Sequence, residues 1–265
     1  MTTLQDRVSI EFEEHLAVVT LDRAEKYNAL DLPMMDALLD AARQIRRRPD
    51  VRAVILRGRG KVFCAGLDFA SVTRRPRQVL AAFLPWLRRT NRFQRLCLVW
   101  RDLPMPVIAL TQGYCFGGGL QIALGCDLRI SAPACEFSIM EIDWGLVPDM
   151  GASVILRDLL PLDQALELTW TARRFSAREA LDLNLVTRIA DDPQQAAREL
   201  AATFCEQSPS AITAAKRLLT GTRQGSQRRA LRAERWAQLR LLLGANQREA
   251  MRARMRGRKP RFRPR

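Results

Sequence analysis

Short apolar runs alternate with segments of helical periodicity through much of the chain, and this alternation limits the possible folds more than any other feature. Residues 8–22 contain two apolar runs around Glu13-Glu14-His15, which predicts a β-hairpin. Asp31 is a candidate helix N-cap, with Pro33 in the first turn of the helix that follows. Residues 51–56 form the next predicted strand. The order strand, helix, strand is typical of α/β crossover units.

A second unit repeats this order and leads into a helical region. We predict a helix over residues 78–102, a strand over 107–111, a helix over 118–125 and short strands over 127–132 and 136–140. Helical patterns then follow at 153–160, 163–171, 176–183, 193–207, 210–220 and 226–256. The chain is therefore predicted to have an α/β core over residues 1–190 and a helical C-terminal region over residues 191–265. Its last fifteen residues carry eight basic residues and no acid, and we expect them to fray.

The composition excludes several classes of protein. Apolar residues make up 48% of the chain, which is enough for a large core and excludes general disorder. Six cysteines without a CxxC pair, together with a single histidine, argue against a zinc site, so no metal is expected. The chain has no signal-peptide pattern and no apolar stretch near the roughly 20 residues that span a bilayer. We expect a cytoplasmic protein with reduced, buried thiols and no membrane partner.

The charge is the unusual part of the composition. The chain has 43 basic and 28 acidic residues, and its net charge of +15 attracts polyanions. A nucleic-acid-binding protein is therefore an alternative, with Arg43 and Arg46 to Arg48 in its phosphate-contacting patch. However, the chain contains no helix-turn-helix, zinc-finger or RNA-binding sheet motif, so a nucleic-acid partner is not expected.

Three glycines, Gly117 to Gly119, lie between a predicted strand and a predicted helix. Glycines let backbone N–H groups approach a ligand closely at the positive end of a helix. No Lys-Ser/Thr pair follows, and Ile122 stands where a dinucleotide-binding motif needs its third glycine, so both nucleotide motifs are excluded. An oxyanion hole built from amides and an ordinary tight turn both stay open. Residues 63–69 follow the neighbouring strand and are the candidate source of a second amide.

Residues 140–149 place three carboxylates, Glu141, Asp143 and Asp149, among largely apolar neighbours. Gly145 and Pro148 interrupt any continuous helix, so we predict a strand end and a loop that folds over a pocket. A carboxylate in apolar surroundings has a raised pKa and can act as a base near neutral pH. The alternative is a solvated loop whose acids cap helices.

In combination, these motifs resemble those of the crotonase (enoyl-CoA hydratase/isomerase) superfamily over about residues 8–190. Residues 23–30 (Arg-Ala-Glu-Lys-Tyr-Asn-Ala-Leu) resemble its R-P-x-x-x-N-A-L segment, residues 63–68 its F-C-A-G-x-D turn, and residues 112–119 its N-G-x-x-x-G-G-G turn. The resemblance implies an α/β fold built as a spiral of repeated ββα units and an acyl-CoA thioester substrate. It also implies no cofactor beyond the coenzyme A of the substrate, and a homotrimer or a dimer of trimers.

The resemblance further implies roles for individual residues. The N–H groups of Leu67 and Gly118 would form an oxyanion hole for the thioester oxygen, and Glu141 and Asp149 would be the catalytic carboxylates. Gln121, a supporting residue, stands where the family's hydratases carry their first glutamate, and an amide cannot shuttle a proton. The substrate- or CoA-binding positions implied are Lys26, Tyr27, Ala29, Ala65, Gly66, Asp68, Phe69, Tyr114, Gly117 and Met140.

The two carboxylates are similar to the pair in the superfamily's dienoyl-CoA isomerases, while simpler isomerases use one glutamate at the Glu141 position. We therefore expect an isomerase that moves a double bond in an enoyl-CoA. A hydratase acting on 2-enoyl-CoA and an acyl-CoA binder without turnover are the alternatives. Aromatic residues suited either to an acyl pocket or to the core are Phe69, Phe83, Trp86, Trp100 and Trp144. Apolar residues suited either to a subunit interface or to the core are Leu218, Leu219, Trp236, Leu239 and Leu241 to Leu243.

Overall fold

The computed structural model describes residues 2–74, 76–83 and 90–264. Its strands are β1 Thr2–Leu4, β2 Val8–Glu13, β3 Leu16–Leu21, β4 Ala53–Gly58, β5 Val107–Thr111, β6 Tyr114–Phe116, β7 Leu128–Ser131, β8 Glu136–Ser138, β9 Phe175–Ser176 and β10 Arg188–Ile189. Its helices are α1 Leu32–Arg46, α2 Phe69–Thr73, α3 Pro76–Phe83, α4 Arg92–Arg101, α5 Gly118–Gly125, α6 Ala152–Leu159, α7 Leu162–Thr171, α8 Ala177–Asp182, α9 Pro193–Cys205, α10 Pro209–Thr222, α11 Gln227–Leu242 and α12 Ala245–Met255. Short 3₁₀ helices cover Ala24–Lys26 and Glu141–Trp144.

The central sheet has the strand order β1-β2-β3-β4-β5-β7-β10 in the described residues. The pairs β1–β2 and β2–β3 are antiparallel, and every pair from β3 to β10 is parallel. A small sheet of order β6-β8-β9 lies beside it. Helices connect the parallel strands because such strands need a crossover to return to the same end. The predicted α/β fold with a parallel-rich sheet is confirmed.

The two faces of the sheet carry different helices because side chains alternate along each strand. Val54, Leu56, Val107 and Ala109 join the main core with α1, α4 and α5. The intervening Ile55 and Ile108 face the other way and pack with Ala197 and Ala201 of α9. Both faces of β4 and β5 are therefore buried, which explains why these strands are almost entirely apolar.

Local predictions at the N-terminal end are confirmed. β2 and β3 form the hairpin, with His15 exposed in its turn and its Nδ1 3.0 Å from the carbonyl oxygen of Asp50. Asp31 caps α1, since its side chain accepts a hydrogen bond of 2.8 Å from the N–H of Met34. Pro33 lies in the first turn of that helix, where its missing N–H has no intrahelical partner to lose.

Buried contacts attach helices α9 and α10 to the core. α9 packs on the sheet through Ala197 and Ala201. α10 carries Lys216, whose partly buried ammonium donates to Asp127 Oδ2 at 2.6 Å and to the carbonyl of Met105 at 2.9 Å. Burial lowers the pKa of Lys216 and raises that of Asp127, while their pairing opposes both effects. The division of the chain at residue 190 stays a prediction.

Two predictions for the C-terminal region are wrong. The expected helix over residues 226–256 is broken at Gly244, which has an extended backbone (ψ 148°) and caps α12. The basic tail does not fray over its described residues. Asn246 exchanges two hydrogen bonds with the backbone of Arg263, and Glu249 accepts from the side chain of Arg258 and the N–H of Arg261. These contacts join segments that the sequence alone does not bring together.

Three other predictions concern the middle of the chain and possible sites elsewhere. The helix expected over 78–102 corresponds to the end of α3 and to α4, and residues 84–89, including Trp86, lie outside the described residues. No helix in the described ranges has the length and apolar character needed to cross a membrane. No cluster of three or more His, Cys, Asp or Glu side chains suited to a metal ion occurs there either.

Candidate active site

Two turns at the carboxyl ends of β4 and β5 form the floor of the site. Because these strands are parallel neighbours, the turns that follow them meet at one edge of the sheet. Backbone hydrogen bonds then join the turns. Cys64 N–H donates to the carbonyl of Tyr114 at 3.0 Å, and Phe116 N–H donates to the carbonyl of Cys64 at 3.0 Å. The two glycine-containing motifs therefore form one backbone unit, as their positions in the sequence predict.

Close approach of the turns explains why two of their positions are glycine. A Cβ on Gly119 would lie 2.7 Å from both the Cβ and the carbonyl oxygen of Cys64, which no side chain can tolerate. Gly66 has φ +95°, a conformation that L side chains rarely adopt, and a Cβ there would lie 3.8 Å from the nitrogen of Gly118. The distance of 3.8 Å shows that the two turns lie side by side, next to the cavity described below.

The amides of Leu67 and Gly118 are free to bind a ligand. Gly118 is the first residue of α5, so its N–H lies before the first intrahelical acceptor and at the positive end of the helix. Leu67 pairs with Leu30 in an isolated bridge, in which Leu30 N–H donates to the carbonyl of Gly66 and Asp68 N–H donates to that of Leu30. The N–H of Leu67 itself points away from that pairing. Neither amide donates a hydrogen bond to another described residue.

Two carboxylates line the same cavity as this pair of amides. Glu141 begins the 3₁₀ helix after β8, and Asp149 follows on the same loop. Glu141 Oε1 accepts a hydrogen bond of 2.6 Å from Gln121 Nε2, while Oε2 is buried without a hydrogen-bond partner. Burial raises the pKa of Glu141; the Gln121 hydrogen bond opposes that rise, and Asp149 adds to it. Burial also raises the pKa of Asp149.

The cavity that these amides and carboxylates line has a volume of about 500 Å³. Among its described lining residues, Glu141 and Asp149 are the only ionisable ones. Phe69 and Trp144 line it and stack on each other with ring centroids 4.0 Å apart, and Trp144 is 57% exposed. The apolar side chains that complete the lining are Leu67, Val72, Phe83, Phe93, Met140, Leu146, Val147 and Met150. Such a cavity suits an apolar ligand with one polar end.

The structure brings together nine of the site residues that the sequence singles out. These are Ala65, Gly66, Leu67, Phe69, Gly117, Gly118, Met140, Glu141 and Asp149, all of which line the cavity. Phe83 and Trp144 line it as well, whereas Trp100 is fully buried in the core.

Six other candidate residues do not line the cavity. Lys26 and Tyr27 are exposed at the 3₁₀ helix before α1, and Ala29 lies close by. Tyr114 stacks on Phe116, and Gln121 is buried behind Glu141. Asp68 forms an ion pair of 2.8 Å with Arg23 and caps α2 through the N–H of Ser71. A role in CoA binding stays a prediction for Lys26, Tyr27, Ala29 and Tyr114, and the carboxylate of Asp68 is already engaged within the protein.

Sequence reasoning missed the importance of Asn28. Its fully buried side chain accepts a hydrogen bond from Arg23 N–H and donates to the carbonyls of Arg59, Val62 and Phe63 at 2.9–3.1 Å. It therefore holds the segment 23–30 against the start of the first site turn. The asparagine of the Asn-Ala-Leu motif is the sequence feature that marks this structural role, but the resemblance points to ligand binding for that segment. Phe93 and Met150 also line the cavity, and no motif marks them.

Backbone amides and two carboxylates line one apolar cavity beside a parallel-rich sheet, the arrangement that the resemblance to the crotonase superfamily implies. The family model for enoyl-CoA hydratase/isomerase matches residues 11–265. The chain belongs to this family, which is the crotonase superfamily.

Individual relatives agree with this assignment. Over 214 residues, the chain is 36% identical to a mitochondrial Delta(3,5)-Delta(2,4)-dienoyl-CoA isomerase from Mus musculus, covering 77% of this chain and 65% of that protein. It is 30% identical to enoyl-CoA hydratase EchA19 from Mycobacterium tuberculosis, covering 96% and 95%. A crystal structure of an enoyl-CoA hydratase from Streptomyces coelicolor, itself a provisional assignment, superposes with a TM-score of 0.90 at 27% identity, covering 100% and 97%. The chain thus spans less than two thirds of the length of the mitochondrial isomerase.

Proposed function

We propose that the enzyme isomerises an enoyl-CoA thioester by moving a double bond along the acyl chain. The observation that carries this proposal is the pairing of Glu141 and Asp149 in one apolar cavity, with an amide instead of a carboxylate at Gln121. Double-bond migration needs groups that accept and return a proton. Hydration would in addition need groups to orient, deprotonate and protonate around a water molecule.

The amides of Leu67 and Gly118 form the oxyanion hole in this proposal. When the proton at C2 leaves, its electron pair moves toward the thioester carbonyl, and negative charge develops on the oxygen. Two N–H donors held in place by the backbone stabilise that charge without reorganising. Donors of this kind typically contribute about 3–4 kcal/mol each to transition-state stabilisation. The free N–H at the start of α5 supports this role.

Glu141 is the proton carrier. Its side chain lines the cavity with that of Asp149, and the raised pKa of its carboxyl group suits it to accept the C2 proton and return it. For a 3-enoyl substrate, the proton returns at C4 and the double bond moves from C3–C4 to C2–C3. For a 3,5-dienoyl substrate the proton must be added at C6, beyond the reach of one carboxyl group, and Asp149 is the second proton donor. Neither step changes the oxidation state of the substrate as a whole.

Hydration of 2-enoyl-CoA is the second candidate function. It is favoured by the similarity over nearly the full length of both chains to EchA19, which is described as a hydratase. In that reaction Glu141 and Asp149 would have to perform the work of two glutamates, because Gln121 cannot ionise. The two functions make different products from different substrates and can be separated directly.

The deciding experiment incubates the purified protein in D₂O with 3-enoyl-CoA, 3,5-dienoyl-CoA and 2-enoyl-CoA separately and resolves the products by liquid chromatography and mass spectrometry. We expect the first two substrates to give isomers that differ only by incorporated deuterium, and Glu141→Gln to give none. A 2-enoyl product heavier by one water, without isomerisation of the other substrates, would establish the hydratase instead. Acyl-CoA binding with no product would support a binder without turnover.

We also propose that the C-terminal helices assemble the protein into a trimer or a dimer of trimers. The described residues of α11 include none that is fully buried, and its large side chains Leu231, Trp236, Leu239 and Leu242 are exposed, together with Leu243. An exposed apolar surface of this kind supports association with another copy. Light scattering coupled to size exclusion should give the mass of three or six chains, and Trp236→Glu should lower it. A monomeric parent protein would contradict the proposal.

A further inference from the structure

Gln121 lies behind the site rather than in it. It occupies the first turn of α5 and is 2% exposed, and its side chain does not line the cavity. A substrate in the cavity therefore does not touch it. Any effect of Gln121 on the reaction must act through the residues it contacts.

Its amide group has two partners, and they fix its orientation. Nε2 donates to Glu141 Oε1 at 2.6 Å, and Oε1 accepts from the N–H of Met150 at 2.9 Å. Rotating the amide by half a turn would place its oxygen against the carboxylate and its NH₂ against an N–H group. Both contacts would be repulsive, so only the observed orientation satisfies the donors and acceptors.

This orientation has a consequence for each carboxylate. The hydrogen bond from the amide to Glu141 Oε1 fixes the orientation of that carboxylate at the wall of the cavity. Met150 directly follows Asp149 in the chain, so the bond from Met150 ties the Asp149 segment to the same amide. One side chain therefore connects the two acid-bearing parts of the loop.

We infer that Gln121 is a positioning residue that holds the Glu141 carboxylate in one orientation and holds the Asp149 segment in a fixed relation to it. This inference rests on the proposed function for its kinetic consequences. Its structural content, the hold on the Glu141 carboxylate, can be tested without turnover.

The neutrality of Gln121 is part of this role. A glutamate in its place would bring a second carboxylate into hydrogen-bonding contact with Glu141, and the two groups would share a proton and titrate as a pair. The other titratable groups near Glu141 are Asp149 on the loop and Cys97 on α4. Burial raises the pKa of the Cys97 thiol well above its usual range, so it stays neutral. With glutamine at 121, Asp149 is therefore the principal charged neighbour of Glu141.

The test compares three variants. Gln121→Met keeps the length of the side chain and removes both hydrogen bonds, whereas Gln121→Glu keeps the acceptor for Met150 and adds a charge. Gln164→Glu adds the same charge at an exposed position in the first turn of α7, outside the cavity, and is the matched control. Two readouts are needed: kcat and KM across pH, and the titration of Glu141 followed by NMR in protein labelled with ¹³C at the glutamate carboxyl carbon. Glu141→Gln assigns that signal.

We expect Gln121→Met to lower kcat by about 100-fold, the cost of a misplaced catalytic group, with KM changed less than about twofold. Because the lost donor stabilises the carboxylate, the pKa of Glu141 should rise in this variant. Gln121→Glu should show two coupled carboxyl titrations and an acidic limb of the pH–rate profile displaced to higher pH. Gln164→Glu should match the parent protein in every readout.

The inference is overturned if Glu141 titrates in Gln121→Met as it does in the parent, or if kcat is unchanged. It is also overturned if kcat and KM change together with no change in the pH profile, which indicates a general structural defect. Should Gln121→Met fail to fold, Gln121→Glu still decides through its titration. A parent protein that isomerises no substrate would refute the proposed function, while the NMR titration would still decide the hold on Glu141.

Discussion

Asn28 gives the sharpest test of how the site is held together. Its side chain makes one hydrogen bond to Arg23 N–H and contacts three backbone carbonyls with an NH₂ group that has two protons. Asn28→Ala therefore removes about three full hydrogen bonds. Each leaves a buried group unpaired at a cost of about 1–3 kcal/mol, and partial relaxation brings the expected total to about 3–5 kcal/mol. For a chain of this size, that loss corresponds to a melting temperature about 10 °C lower.

The assay is thermal unfolding followed by circular dichroism, with Asn91→Ala as the reference. Asn91 caps α4 from a part-buried position, and losing that cap costs about 1 kcal/mol. Asn28→Asp adds a second test, because it would place a carboxylate against the carbonyls of Arg59, Val62 and Phe63. Protonation relieves that repulsion, so its destabilisation should be larger at alkaline than at mildly acidic pH. If Asn28→Ala costs no more than Asn91→Ala, or Asn28→Asp shows no pH dependence, the reasoning is refuted.

Three further predictions concern the cavity. Glu141→Gln should lower kcat by about 10²–10⁴-fold. The raised pKa of Glu141 favours its protonated form, so the loss of kcat/KM on acidification should begin at a higher pH than for an ordinary glutamate. The contribution of Glu141 to the free energy of unfolding should be lost as the pH rises through that pKa. Glu141→Gln should therefore unfold at higher temperature than the parent at neutral pH; a lower temperature would contradict this. Gly119→Ala should lower the free energy of unfolding by about 1–3 kcal/mol and lower kcat/KM, because the added Cβ collides with Cys64. An unchanged unfolding temperature would show that the two turns can move apart to accommodate it. Trp144→Ala removes the stack on Phe69 and should raise KM about tenfold with little change in kcat; a selective loss of kcat would place Trp144 in the chemistry instead.

Much of the fold follows from patterns that act over short distances. The capping carboxylate of Asp31 and the alternation in the β2–β3 hairpin require only neighbouring residues, and both appear as predicted. Glycine at position 244 is a local helix-breaking signal that the prediction of one long helix did not use. The docking of Arg263 on Asn246 is a contact between α12 and the tail, which no local propensity reports, so the sequence predicted a frayed end.

The site shows the same division. Glycine spacing after two parallel strands was enough to place Gly66 and Gly118 side by side. By contrast, the connection between Glu141 and the Asp149 segment depends on the buried amide of Gln121, which hydrogen-bonds to Glu141 and to the N–H of Met150. A single sequence shows that position 121 is glutamine and cannot show which atoms its amide meets. The position of Phe93 in the cavity wall cannot be predicted from the sequence either, because an aromatic residue on a helix fits the core as well as a pocket.

The backbone bonds that join the two site turns make the position of the paired amides independent of the shape of the cavity wall. Cys64 and Phe116 set the relation between the turns through main-chain N–H and carbonyl groups, so the placement of the Leu67 and Gly118 amides depends little on which side chains project into the cavity. Residues such as Val72, Phe93 and Val147 can then vary in size, within what packing allows, while those donors stay in place. Under the proposed function, exchanging wall residues would fit the cavity to longer, shorter or branched acyl groups and would leave the paired amides in place.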